Sequence, residues 1–316
     1  ASYPWLFTNE SGSSAGRPQH HGREAIDGAP VLDIKGGRHP MLEYSMEARG
    51  GEYIPNSVHL GGDKARMLLL SGPNMGGKST LLRQTCLITI MAQIGCAVPA
   101  DSCILTPVDR IFTRVGASDR ILAGQSTFFV ELAETAVILK AATKMSLCIL
   151  DELGRGTATH DGTAIAHAVV DKLVSNTRCR TLFATHYHSL ADDWGLDPRV
   201  NLGHMDCMVS GSSTDGEDVT FLYRLADGAS PKSYGVNVAR LAALPASVVA
   251  LAVQRSREFE AQLSAGPAGQ ASVTARAFFD RLCSLLRSDL SEVERAGLAA
   301  SVWKAYQASI KPVAGV

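Results

Sequence analysis

The chain has 316 residues, 46% hydrophobic and 19% charged, enough for one large domain with an appendage or two modest domains around a sizeable core. Its 30 Lys and Arg nearly balance 31 Asp and Glu, and a net charge of −1 excludes a free-standing basic surface that grips nucleic acid by itself, though not contacts made through a partner. The seven cysteines are scattered with no CxxC pair, which points to reduced, mostly buried thiols of an intracellular protein, and no apolar run is long enough to span a bilayer.

Residues 1–30, rich in Gly, Ser, His and charge, have no clear period and read as an irregular N-terminal segment. The chain starts at Ala1 rather than Met, as a fragment or a gene model lacking its beginning does. Order is expected from Val31. VLDIKGG predicts a strand followed by a turn at Gly36-Gly37, and EYIPNSVHLGG (52–62) predicts another short strand, so that a small antiparallel patch leads into a larger sheet. At 67–80, MLLLSGPNMGGKST, an apolar strand-like run meets a glycine-rich loop, and mostly helix-forming residues follow at once. ILTPVDRIFTRV (104–115) carries two short β-like pieces. From Thr127 the apolar residues fall near helical spacing, with Ser126 or Thr127 as N-cap.

LCILD (147–151) reads as a buried strand, and HDGTAIAHAVVDKLVSN (160–176) as an amphipathic helix capped by Asp161. CRTLFATHYHSL (179–190) is another apolar strand ending in polar residues. HMDCMV and DVTFLYRL flank SGSSTDGED (210–218) as a β-hairpin with a loose tip. Residues 233–263 are expected to be helical with a break at Pro245. AGPAGQAS (265–272) reads as a linker, and two amphipathic helices beyond it as packing or dimerisation surfaces. Alternating strands and helices predict an α/β fold with a mostly parallel sheet, its ligand at the carboxyl edge.

Gly72, Pro73, Asn74, Met75, Gly76, Gly77, Lys78 and Ser79 form the pattern GxxxxGK[ST] between a strand and a helix. Glycines let backbone N–H groups close on a phosphate, and the helix start adds its dipole. Lys78 is expected to reach the β- and γ-phosphates of a nucleotide, and Ser79 to offer its hydroxyl to Mg²⁺. Four such fixed positions match by accident in roughly one chain in a hundred of this length; the bland alternative is a glycine turn with a solvated lysine. Asp151 and Glu152 end a buried strand, where a carboxylate without a partner costs several kcal/mol. Asp151 is the expected Mg²⁺ anchor and Glu152 the group that polarises attacking water; the alternative is two solvated heads. His186 is read as a contact of the γ-phosphate or the water, against a histidine merely buried at a strand end. Ser126 either caps its helix or sets its hydroxyl on a phosphate, in its own site or across a dimer. His160, His167 and His188 read as structural or surface residues.

Taken together, GPNMGGKSTLLRQ (72–84), IGCAVPA (94–100), DRIFTRVGASDRI (109–121), GQSTFFVELAETA (124–136), LDELGRGTATHDGTAIA (150–166), TLFATHYHSL (181–190) and PKSYGVNVARLAALP (231–245) resemble the ATPase domain of the MutS mismatch-repair family, an ABC-type ATPase. The resemblance runs from about Val31 to Phe259. LGHMDCM and PKSYGVNVARLA are most similar to the branch of sixth eukaryotic homologues, in their plant form. It implies residues 1–30 as an irregular segment, 31–259 as the ATPase domain and 260–316 as a helix-turn-helix dimerisation element. It implies ATP and Mg²⁺ as cofactors, with the loop from Gly72 through Lys78 and Ser79 to Thr80 holding the phosphates. Asp151 is the implied Mg²⁺ residue, Glu152 the general base and His186 the γ-phosphate sensor. Tyr53 and Ile54 are implied to pack on adenine with His204 on its other side, and Ser126 to complete the partner's nucleotide site, with Arg155 and Thr157 near that interface.

The implied partners are another MutS-homologue subunit, the second homologue, and mismatched double-stranded DNA; the implied location is the nucleus, with no membrane. His160 stands where the family usually has an aromatic residue. In the family, the regions that read the mismatch precede the ATPase, and here about thirty unpatterned residues do, so this chain alone is expected to lack them. The competing expectation is a non-hydrolysing fragment that dimerises and binds nucleotide. A transporter- or cohesin-type ATPase is disfavoured by GQSTFFVE in place of an LSGGQ-type signature.

Overall fold

A computed structural model of the chain describes residues 5–6, 29–116, 126–210, 218–230 and 234–265. The hairpin tip, the linker, the two C-terminal amphipathic helices and most of the N-terminal segment lie outside the described residues. The chain divides into two compact units, Ala1–Val238 and Ala239–Val316.

The first unit runs β1 (Trp5–Leu6), β2 (Val31–Gly37), α1 (Pro40–Glu47), β3 (Asn56–Gly61), β4 (Met67–Ser71), α2 (Lys78–Gln93), β5 (Ser102–Leu105), β6 (Ile111–Arg114), α3 (Thr127–Ala141), β7 (Leu147–Asp151), α4 (Thr159–Asp171), a π-helical turn (Lys172–Thr177), β8 (Arg180–Ala184), α5 (His188–Trp194), β9 (Val200–Ser210) and β10 (Asp218–Asp227). α6 (Gly235–Leu241) begins in this unit, and α7 (Ala246–Ala265) belongs to the second. Pro245 separates them, as the pattern predicts. Along α7 Val249 is buried, whereas Val248, Leu251 and Phe259 are exposed.

The strands form two sheets, a small one in the order β1-β5-β2-β3 and a large one in the order β10-β9-β4-β8-β7-β6. In the large sheet β6, β7, β8, β4 and β9 pair parallel, and β10 closes the edge antiparallel to β9. In the small sheet β2 runs antiparallel to both β3 and β5, which is the expected antiparallel patch. The apolar strands of the large sheet are buried on both faces. Leu68 and Leu70 point with Ile149 and Leu182 towards α2 and the small sheet. Met67 and Leu69 point with Leu150 and Phe183 towards α3, α4 and α5. Leu81, Leu82 and Ile88 of α2 are fully buried, each contributing about 1.5–3 kcal/mol.

Several local expectations are corrected. Gly36 and Gly37 do not turn the chain: they stay in β2, where pairing with β3 becomes irregular between Ile34 and Gly37 and Gly36 takes φ +55°. α1 follows where no helix was expected. His39 caps it, its ring accepting from the Leu42 N–H, and Pro40 opens it, but it runs only eight residues, too short for its apolar spacing to announce a helix. β8 stops at Ala184, and residues expected in that strand open α5 instead. α4 starts one turn before Asp161, on Ala158 with no side-chain cap; Asp161 only places its charge in the first turn. Ser126 is the cap of α3, accepting from the Phe129 N–H at 3.2 Å.

Arg180 opens β8 at the amino edge of the large sheet and has no exposed surface. Its guanidinium donates to the carbonyls of Val31 (3.0 Å), Thr106 (2.8 Å), Pro107 (3.2 Å) and Met145 (2.5 Å). Burial lowers its pKa to about 10, so it stays charged at neutral pH. Replacing it strands several buried carbonyls, each costing about 1–3 kcal/mol. Arg180→Met is expected to lower the unfolding free energy of the first unit by about 3 kcal/mol or more, read from urea denaturation followed by tryptophan fluorescence.

Candidate functional site

Parallel pairing sets the ends of three strands level: Leu70 of β4 and Asp151 of β7 both pair with Ala184 of β8. The segments that leave these strands therefore meet at one edge. After β4 comes the loop Gly72–Gly77, after β7 Glu152, and after β8 His186.

The loop is tight against β9. Gly72 has φ +125°, and a Cβ there would lie 3.0 Å from the Met205 backbone nitrogen. Gly77 caps α2 at φ +100° with no side-chain hydrogen bond, so the first-turn N–H groups of α2 have no side-chain cap. Lys78 is the first residue of α2 and is buried. Its ammonium donates to the loop's own carbonyls, Gly72 at 2.7 Å and Pro73 at 3.0 Å. Burial lowers its pKa, and the charges of Glu152 and Asp151 oppose that.

Next to it, the Ser79 hydroxyl donates to Asp151 Oδ2 at 2.6 Å. The other oxygen, Asp151 Oδ1, is buried with no hydrogen-bond partner. Burial pushes the Asp151 carboxyl up, and the Ser79 bond only partly offsets this. Glu152 has the opposite environment. Burial alone raises its carboxyl, but a hydrogen bond from His186 and the charges of His186 and Arg155 outweigh burial and hold it at about 2. Its Oε1 pairs with His186 Nε2 and its Oε2 with Arg155. Glu152 also sits at φ +59°, a left-handed conformation that costs a side-chain-bearing residue about 1–3 kcal/mol and persists only where its surroundings enforce it.

A cavity of about 400 Å³ opens from this cluster. Lys78, Ser79 and Glu152 are part of its polar lining; Tyr53, Ile54, Leu42 and Met46 also line it, as do Met205 and Tyr223, which lie against Gly77. Tyr53 is fixed by its hydroxyl, which donates to buried Gln84 at 2.8 Å. Tyr223 sits at the β10 bulge with φ +52°, and Asn56 holds that bulge, donating to the Tyr223 carbonyl and accepting from the Leu225 N–H.

The fold thus brings together Tyr53, Ile54, the loop from Pro73 to Thr80 except Gly76, and Glu152 on one cavity, with Asp151 and His186 in contact with its polar end. It does not bring His204 there. His204 contacts the Gly228 carbonyl at 3.0 Å and does not line the cavity. Neighbouring strand residues face opposite sides, and Met205 takes the side of the loop. Ser126 likewise stands apart, exposed at the start of α3. The residues missed from sequence are Tyr223, Met205 and Asn56. Met205 lies in LGHMDCM and Asn56 in EYIPN, but neither was singled out there; Tyr223 belongs to no quoted motif, and it sits at the bulge in β10.

A family model described as MutS domain V matches residues 68–260. The chain belongs to the MutS family. It is 55% identical over 243 residues to the DNA mismatch repair protein Msh6 of Homo sapiens and 56% identical over 236 residues to MSH6 of Arabidopsis thaliana, in each case over 74% of this chain and 18% of that protein. The DNA mismatch repair protein MSH3 of Coccidioides immitis is 50% identical over 232 residues, 73% of this chain and 20% of that protein. The chain therefore spans about a fifth of the length of the relatives it matches. In this MutS-family chain no described helix is long and apolar enough to cross a membrane.

The depressed Glu152 carboxyl has a measurable consequence. A folded pKa of about 2 against an ordinary 4.5 contributes stability above pH 4.5 that is lost as the pH falls through 2. The stability of the native chain relative to Glu152→Gln is expected to decline steadily as the pH falls from 4.5 towards 2, followed by urea denaturation at stepped pH.

Proposed function

We propose that this chain is the ATP-binding and ATP-hydrolysing part of a DNA mismatch-recognition protein. The observation that carries the reading is the Ser79–Asp151 contact beside Lys78, with Glu152 and His186 at the same strand ends. A triphosphate drawn into the loop competes with the Gly72 and Pro73 carbonyls for the Lys78 ammonium and meets the N–H groups of α2. The base of the nucleotide lies between Tyr53 and Ile54 on one side and Tyr223 on the other, so Tyr223 replaces His204 in that role.

The residues present fit a hard divalent cation. Asp151 Oδ1 is buried and unpartnered and the Ser79 hydroxyl is adjacent, an oxygen pair of the kind Mg²⁺ takes. When bound, Mg²⁺ neutralises charge on the phosphate oxygens. Glu152 accepts the proton of the water that attacks the γ-phosphorus. The new P–O bond forms as the bond to the β–γ bridging oxygen breaks, and ADP leaves. A carboxylate held at about 2 is a weak base, so turnover requires exposed Arg155 to release Glu152 and His186 to turn to the γ-phosphate.

By likeness to the Msh6 and Msh3 proteins, the chain works in the nucleus as a heterodimer with the second MutS homologue. Ser126 then completes the partner's site, and ATP controls the grip on mismatched DNA. The pairing of Glu152 with both His186 and Arg155 also supports a second reading, a module that binds nucleotide without turning it over.

Steady-state ATP hydrolysis over a concentration series, with and without the partner subunit, separates the two. Turnover that rises with concentration or on adding the partner is expected; ATP binding without turnover in every mixture supports the second reading. Glu152→Gln is expected to keep ATP binding and slow hydrolysis about 10²–10⁴-fold, and Lys78→Ala to abolish binding in a fluorescent-nucleotide titration. In the same titration Tyr223→Ala is expected to weaken ATP and ADP alike, by about tenfold.

A further inference from the structure

Gly154 lies just beyond Glu152, and both polar atoms of its main chain are taken by side chains from other elements. Its N–H donates to Glu131 Oε1 of α3. Its carbonyl accepts from the Tyr187 hydroxyl at 2.8 Å. Neither partner is loosely placed. Glu131 Oε2 lies 3.0 Å from Arg114 Nη2 of β6, and both side chains are only 5% exposed. Tyr187 directly follows His186, and burial and the Glu131 charge push its phenol up, so it remains a donor. The third side of the turn is α4. Gly154 has φ +96°, and a Cβ on it would lie 2.9 Å from Gly162 Cα.

This turn decides where the Glu152 side chain points, because Glu152 itself sits in a left-handed conformation that has to be imposed from outside. We propose that Tyr187 and Glu131 are positioning residues for Glu152: by holding the N–H and the carbonyl of Gly154 they keep the turn in the conformation that aims the Glu152 carboxylate at His186. Glu131 rides on the helix that Ser126 caps, so the same grip ties the start of α3 to the Glu152 turn. Neither residue carries a motif signature for this role. The inference rests on the reading of Glu152 as the base.

Tyr187→Phe removes one hydroxyl and leaves the ring. In the full chain with a second MutS-family subunit supplied, it is expected to lower kcat about five- to tenfold, the worth of one well-formed hydrogen bond, with KM for ATP unchanged. Amide exchange across residues 153–156 is expected to accelerate while β4 and β8 exchange as in the wild type. Glu131→Leu should behave alike. Glu131→Gln also removes one of the two carboxylates that face Arg114, leaving Glu134 at 3.6 Å, but keeps an acceptor for the Gly154 N–H, and is expected to recover most of the rate.

Unchanged kcat in Tyr187→Phe beside a slowed Glu152→Gln overturns the proposal. So does a loss of rate accompanied by faster exchange throughout β4 and β8, which marks general loosening. Wild-type turnover in Glu152→Gln removes the base assignment instead. In that case, or with no turnover in the wild type, exchange across 153–156 decides whether the grip exists.

Discussion

A buried guanidinium holds this fold together from the edge opposite its candidate site. Arg180 carries a charge into a fully buried position, where its guanidinium bonds carbonyls and the charge of Asp109 only partly offsets burial. It is tolerated because the planar head spreads that charge over donors that meet carbonyls on three separate connections. Those carbonyls belong to the start of β2, the β5–β6 link and the segment before β7. One side chain thereby joins the small sheet to the large one and levels the starts of β7 and β8. The ends of those strands are then level too, and Asp151 and His186 arrive at a common edge.

At that edge two adjacent carboxylates are driven apart by their surroundings. Asp151 is buried against one hydroxyl and resists ionisation, while Glu152, between His186 and Arg155, is held firmly ionised. In the proposed reaction the first, with its unpartnered oxygen, would hold the cation, and the second would exchange partners before taking a proton. Environments that separate neighbouring carboxyls in this way are a recurrent means of giving them different tasks. Glu152 takes a left-handed conformation that its residue type disfavours, and the glycine two residues on is gripped at both main-chain polar atoms by Glu131 and Tyr187.

Much of this was legible in the chain. The parallel sheet followed from apolar runs alternating with helical patterns; Lys78 and Ser79 were singled out at the loop–helix junction and Asp151, Glu152 and His186 at strand ends, and the fold brings these places together. The misses have physical causes. α1 spans eight residues, too few for a helical period to stand out. His204 was implied by resemblance alone, and the fold turns it to the Gly228 carbonyl, while the bulge in β10 brings Tyr223 to the cavity. Gly36 and Gly37 imitate a turn because an irregular strand and a turn use the same residue type.

The sequence by itself determined the class of fold, the strand-loop-helix junction at 67–80 and the carboxylate pair after LCILD, because spacing along the chain and chemical type are local properties. Tertiary structure decided the rest. It set Asp151 against Ser79, tied Glu152 to His186 and Arg155, and brought Tyr223 with Asn56 to the cavity wall. It also closed Glu131 and Tyr187 on Gly154. Each of these pairs, apart from Glu152 and Arg155, joins residues far apart in sequence, and their meeting depends on sheet register and a bulge, neither of which is written in any single stretch of the chain.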